Sequence, residues 1–272
     1  MNSNPANHPA PGPIALPGVR DVVAVASAKG GVGKSTVSAN IALALTRTGS
    51  RVGLMDADIY GPSLPLMMGA KGEPELTPEG RLLPIVVHGV PIMSMGFLTD
   101  EDTPVVWRGP LLAQAVQQFL RQVDWGELDY LIVDLPPGTG DIPLTLSQAI
   151  ALSGALIVTT PQAVALEDVE RGVAMFDKVD VDLLGLVENM SYYICPHCDQ
   201  RHEIFGSGGA RAMAERLDIE VLGEVPLDAG IRRGGDEGHP VALEADSDAG
   251  RLFDSIASRL RASIAATTST YP

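Results

Sequence analysis

Short runs of β-branched and aliphatic residues alternate along the chain with segments whose apolar positions recur at helical spacing. The runs are Val22–Ser27, Arg51–Met55, Tyr130–Asp134, Ala155–Thr160 and Leu183–Val187. They are near-continuously apolar rather than alternating, the pattern of strands covered on both faces. Between them, Ser35–Thr48 sets Val37, Ile41, Ala44 and Leu45 at helical spacing and stops at Gly49. Leu111–Val123, Ile142–Leu152, Ala165–Val179, Gly208–Leu217 and Asp248–Ile264 are predicted as further helices. Strands and helices in alternation imply βαβ crossovers, so the expected fold is α/β, a doubly wound, mostly parallel sheet flanked by helices. Residues 1–20, rich in Pro, Asn and Ala and without an apolar period, read as a flexible leader. Residues 21–272, which show no internal repeat, read as a single domain.

Composition sharpens this picture. The 272 residues are 45% hydrophobic but only 4% aromatic, so the core must be built from Val, Leu, Ile and Ala. Mean hydropathy is +0.15. Nineteen basic residues against 34 acidic ones give −15, which argues against nucleic acid as a partner. The longest apolar stretches, such as Ala149–Thr160, fall short of the ~20 residues a membrane helix needs. No basic segment followed by an apolar block opens the chain, and two cysteines make no disulfide framework. A cytoplasmic protein with no membrane partner is expected.

The segment Ala28-Lys29-Gly30-Gly31-Val32-Gly33-Lys34-Ser35-Thr36 joins the first run to the first helix. Strand, glycine-rich loop and helix in that order form a phosphate cradle, in which backbone N–H groups and a helix N-terminus face the anion. Lys34 is expected on the β- and γ-phosphates of ATP, the Ser35 hydroxyl on Mg²⁺ and Thr36 on the α-phosphate. Ala28 stands where the usual G-x-x-x-x-G-K-S/T pattern has its first glycine. The second lysine, Lys29, is similar to the deviant Walker A sequence of the MinD, ParA and nitrogenase iron protein group. In that group the extra lysine crosses a dimer interface, so the resemblance implies an ATP-sandwich homodimer, with Lys29 acting as an arginine finger does.

Carboxylates end the neighbouring runs. Asp58 is a candidate for positioning or activating the attacking water, while Asp56 is a candidate for the Mg²⁺ shell; sequence alone leaves that division open. Asp134 is a Walker B-type carboxylate, expected to hold Mg²⁺ through a water. Pro136–Asp141 (PPGTGD) follows as a stiff turn suited to sensing the γ-phosphate.

Both cysteines lie in Cys195-Pro196-His197-Cys198. Closely spaced thiolates suit Zn²⁺, which could recruit His197 or His202, or an iron–sulfur cluster. A redox pair would be expected earlier, near a helix start. A 4Fe-4S cluster usually takes four thiolates, and two chains about a two-fold axis would supply them. The dimer implied by Lys29 and the dimer required by this stoichiometry coincide.

Taken in order, Lys29–Thr36, Asp56–Ser63 (DADIYGPS), Trp107–Pro110 (WRGP), Asp134–Asp141, Glu188–Ser191 (ENMS) and Cys195–Cys198 make the chain similar to the Mrp/ApbC family of ATP-binding iron–sulfur cluster carriers, from about Asp21 to Ile264. That resemblance implies a homodimer with a bridging 4Fe-4S cluster, slow ATP hydrolysis, and transfer to apo-proteins, with scaffold proteins as possible donors. It also places Asn189 on the adenine with Pro226 and Asp228 nearby. Residues 1–20 hold no cysteine and leave no room for the small N-terminal domain of many bacterial members. Any role of those segments is expected to fall to a separate partner. The alternative is a MinD/ParA-type positioning ATPase, disfavoured by a C-terminus (ASIAATTSTYP) that makes a poor membrane anchor and by the net charge. A nitrogenase-type reductase would space its cluster cysteines far apart.

Overall fold

A computed structural model of the chain describes residues 13–97, 116 and 119–268. The central sheet has eight strands in the order β10-β7-β6-β1-β5-β2-β4-β3. They are β1 (Val19–Ala26), β2 (Val52–Asp56), β3 (Ile85–Val87), β4 (Val90–Ser94), β5 (Leu128–Asp134), β6 (Gly154–Thr159), β7 (Leu183–Glu188) and β10 (Val221–Glu224). All pairings are parallel except β3 with β4. A small antiparallel hairpin, β8 (Tyr193–Ile194) with β9 (Arg201–His202), stands apart from the sheet.

Both faces are covered, as the apolar runs require. Val23 and Val25 of β1 pack on one face with Val37, Ile41 and Leu45 of helix α1 (Lys34–Arg47) and with Phe253, Ile256 and Leu260 of the last helix, α7 (Asp248–Thr268). The alternate residues Val22, Ala24 and Ala26 pack on the other, with Val169, Met175 and Phe176 of α4 (Ala163–Asp177). Each fully buried aliphatic side chain contributes about 1.5–3 kcal/mol relative to exposure. The short helix α2 (Leu64–Met68) and α3 (Asp141–Ala149), α5 (Gly209–Leu217) and α6 (Ala229–Glu237) complete the layers. No helix among the described residues is long and apolar enough to cross a membrane.

Two expectations need correction. The end of the supposed flexible leader packs: Ile14 and Leu16 are buried, and β1 begins at Val19 rather than Val22. Ile14 bridges Ile150 in parallel, donating to the Ala149 carbonyl at 2.9 Å and accepting from the Ala151 N–H at 2.9 Å. That pairing also explains why α3 stops at Ala149 instead of Leu152, because Ile150 is extended to meet Ile14. Most of the helix predicted over 111–123, and the Trp107–Pro110 motif, lie outside the described residues.

Candidate functional site

Parallel strands bring all their carboxyl ends to one edge of the sheet. Strand β1 sits at the switch point, with β5 on one side and β6 on the other, where doubly wound sheets bind ligands. The glycine-rich loop leaves β1 there. Gly31 and Gly33 have φ of 80° and 81°, a left-handed backbone that favours glycine. Gly33 is constrained twice, since a Cβ on it would lie 2.1 Å from Asn189 Nδ2. Helix α1 then begins at Lys34 with no side-chain cap and no acid in its first turn. Its leading N–H groups therefore face the loop as donors for an anion, so the cradle fits a nucleotide phosphate chain. The Ser27 hydroxyl donates to the Lys29 carbonyl at 2.9 Å, and the Gly138 N–H donates to the Ser27 carbonyl at 2.8 Å. The Pro136–Asp141 turn is thereby tied to the start of the cradle.

Asp56 and Asp134 are register partners on adjacent strands, and both are fully buried. Asp134 accepts from Ser35 Oγ and from Ser38 Oγ, each at 2.6 Å, and pairs with Lys34 Nζ at 2.6 Å. The lysine of the glycine-rich loop thus rests on the buried carboxylate that ends β5. Asp56 is engaged differently: one oxygen accepts from the Asp58 N–H at 3.1 Å, the other from the Ser63 and Leu64 N–H groups at 3.0 and 3.1 Å. Burial, and next the Asp134 charge, push the Asp56 carboxyl up to about 7. Asp58 is half-buried, and desolvation raises its pKa as well. Hard oxygen donors from Ser35, Asp134 and Asp56 at one edge suit Mg²⁺. The Lys29 side chain makes no ion pair or hydrogen bond among the described residues.

Asn189 follows β7 and reaches back to the cradle, its Nδ2 donating to the Val32 carbonyl at 2.8 Å. Pro226 lies beside it in the chain that leaves β10, where the Ser191 N–H donates to the Val225 carbonyl and the Leu227 N–H to that of Tyr192. The Asp228 carboxylate caps α6, accepting from the Gly230 and Ile231 N–H groups at 2.6 and 3.0 Å.

The same segment runs on into the β8–β9 hairpin, whose turn carries both cysteines. The Cys195 N–H donates to the Gln200 carbonyl at 3.0 Å and its carbonyl accepts from the Asp199 N–H at 2.8 Å. Asp199 takes a left-handed φ of 55° to close the turn. Cys195 is part-exposed, Cys198 exposed, and both are free thiols. Hydrogen bonding from the His197 backbone, then from the Cys198 thiol and backbone, lowers the Cys195 pKa toward thiolate. His197 and His202 do not converge on them: among the described residues no three His, Cys, Asp or Glu side chains form a metal-binding group.

The cradle residues, Lys34, Ser35, Asp56, Asp58, Asp134 and Asn189 therefore share one edge, while Cys195 and Cys198 stand on a hairpin leaving it. Two buried residues have roles that sequence reasoning did not assign. Ser38 bonds Asp134, and its signal was a polar residue one turn after Lys34 on an otherwise apolar helix face. Glu188, at the end of β7, accepts from Ser191 Oγ and from the Ala210 N–H at 3.1 Å, tying α5 to the Asn189 loop.

A family model described as ParA, the NUBPL iron-transfer P-loop NTPase, matches residues 18–261. The iron-sulfur cluster transfer protein NUBPL of Mus musculus is 52% identical over 248 residues, covering 90% of this chain and 78% of that protein. The iron-sulfur cluster carrier protein of Synechocystis sp. is 50% identical over 248 residues, 89% of this chain and 70% of the relative. Among solved structures, a nucleotide-binding protein from Archaeoglobus fulgidus in complex with ADP superposes with TM-score 0.77 at 40% identity, covering 88% of this chain and 93% of that one. The cell division ATPase MinD of Pyrococcus furiosus, at TM-score 0.67 and 21% identity over 89% of this chain and 98% of its own, shares the fold.

Proposed function

The chain belongs to the NUBPL iron-transfer P-loop NTPase family, and on that premise we propose that it is an ATPase that carries an iron–sulfur cluster to apo-proteins. The observation that carries this reading is the hairpin turn. It presents two thiols at the surface with no third ligand converging on them from the described residues. A 4Fe-4S cargo asks for four thiolates, so two copies about a two-fold axis would hold it through Cys195 and Cys198 of each. Zinc would take the same four thiolates, so iron and sulfide content, not ligand count, tells the two apart.

Nucleotide occupancy would order that dimer. The cradle from Ala28 to Thr36 binds the phosphates. Lys34 would exchange Asp134 for phosphate oxygens, and Asp134 and Ser35 would then hold Mg²⁺, which would neutralise phosphate charge. Asp58 orients the attacking water, while Asp56 fixes the loop that carries Asp58. Asn189, with Pro226 and Asp228 close by, borders the base. Lys29 reaches the partner's nucleotide. Hydrolysis is slow, as befits a switch, and scaffold proteins would serve as donors.

Anaerobic reconstitution of a Cys195→Ser/Cys198→Ser variant tests this. Iron and sulfide per dimer should fall to background while ATP binding persists. Undiminished iron, or a wild-type chain that holds a complete cluster as a monomer, would reject the assignment.

A further inference from the structure

At the foot of the cysteine hairpin lies a cavity of about 430 Å³ that the nucleotide chemistry does not use. It opens along β10, the outermost strand at its end of the sheet. The chain as a whole is strongly acidic, yet three arginines from different elements line this space: Arg201 of β9, Arg211 of α5 and Arg259 of α7. Glu224 fixes two of them, at 3.2 Å from Arg201 and 2.8 Å from Arg211. Arg201 also stacks on Tyr192, with its guanidinium 4.0 Å from the ring centroid. Arg259 donates to the Val221 carbonyl at 3.2 Å and has no carboxylate partner among the described residues. Glu203 lies 3.8 Å from Arg201, and Glu215, Asp218 and Glu220 border the adjoining space beyond Arg211 and Val221. Among the residues that line the cavity itself, three arginines face one glutamate, so its lining carries a surplus positive charge.

The floor is different in kind. Val221, Leu222 and Leu252 supply apolar surface beside the strand edge. Guanidinium forks bind carboxylates through paired, charge-assisted hydrogen bonds. An unpaired strand edge binds an extended polypeptide. An oligonucleotide would meet the cations but has no use for a strand edge, which an extended peptide pairs with.

We propose that this arginine-walled pocket docks an extended segment rich in aspartate or glutamate from the apo-protein that receives the cluster. The identity of that partner rests on the carrier reading; the binding chemistry does not. Register places the dock beside the cargo. Arg201 pairs with Ile194, the residue before Cys195, so an acceptor held here lies against the hairpin whose turn bears both thiols.

The test uses the full chain with a fluorescently labelled peptide of alternating glutamate and valine, followed by anisotropy. A glutamine-for-glutamate peptide and a labelled oligothymidylate serve as comparisons. The wild type should bind the glutamate peptide in preference to both, and more weakly as salt is raised. The Arg211→Glu/Arg259→Glu variant should lose about tenfold or more in affinity, and Arg211→Gln/Arg259→Gln an intermediate amount. Unchanged ATP binding and melting temperature would show that both variants fold. Equal affinity of the variants, equal binding of the glutamine peptide, or tighter binding of the oligonucleotide would overturn the proposal. Transfer from loaded protein to an acidic apo-ferredoxin should slow in the charge-reversed variant at unchanged iron content. A wild type that holds no iron would fail the carrier reading alone, because the peptide titration needs no cluster.

Discussion

Asp56 shows how much a single buried carboxylate can organise. Both of its oxygens are taken by backbone N–H groups from Asp58, Ser63 and Leu64, so the loop bearing Asp58 closes around it. Its pKa, ordinarily 3.8, is pushed up to about 7. Between those values the folded chain holds a proton that the unfolded chain has lost. Stability of the nucleotide-free, magnesium-free protein should therefore fall as pH rises through that window and level off above it. Asp56→Asn should remove most of the fall, a contribution on the order of a few kcal/mol, in urea unfolding across a pH series. An unaltered pH slope in the variant would contradict this. At Gly33 two constraints coincide, a left-handed φ and the 2.1 Å approach of Asn189 Nδ2 to where a Cβ would sit. Gly33→Ala should cost about 2 kcal/mol or more of stability and abolish detectable ATP binding by calorimetry. That glycine was legible as cradle chemistry, but its contact with Asn189 was not, since the two lie far apart in the chain and meet only through the sheet.

At the scale of elements, the segment from Glu188 to Tyr192 joins what the sheet would otherwise keep apart. Asn189 holds the cradle at Val32, Ser191 and Tyr192 hold the chain leaving β10, and Glu188 holds the first turn of α5. Glu188→Ala would leave the Ala210 N–H and the Ser191 hydroxyl buried without their acceptor, at a cost of about 2–3 kcal/mol. In a domain this large that is a drop of roughly 4–10 °C in Tm, read by circular dichroism. A shift within experimental error would mean that α5 is held by its apolar face alone. The runs that became β1, β2, β5, β6 and β7 could be read directly because burial on both faces leaves little room for polar residues. Strands β3, β8, β9 and β10 could not, being two to four residues long with a solvent-facing side. Helix α6 escaped because AGIRRGGDE has few apolar positions to mark a period.

At the scale of the whole molecule, the proposed dimer gives two features of the site a single explanation. Lys34 already has a buried anionic partner in Asp134, whereas Lys29, part-exposed in the same loop, has none among the described residues. Two cations in one glycine-rich loop are therefore not equivalent: one is satisfied within the chain, and the other is the one the proposed dimer would use. The thiols follow the same logic, with a pair on the surface where a cluster needs four ligands. Both features were legible in the sequence as motifs, since each is local in the chain. The tethering of the cysteine hairpin by Arg201 was not, because it depends on β9 meeting Tyr192 and β10. If the dimer is ordered by nucleotide, Lys29→Ala should bind ATP within about threefold of wild type, because uniform contacts from the cradle remain. It should nevertheless fail to dimerise on ATP addition in light scattering, and lose about 10³-fold in hydrolysis, the scale of a missing arginine finger. Lys34→Ala, by contrast, should lose ATP affinity itself. A Lys29→Ala variant that still dimerises with ATP and hydrolyses it at the wild-type rate would place that lysine in solvent. The cluster would then have to hold the two copies together by its own four sulfur bonds.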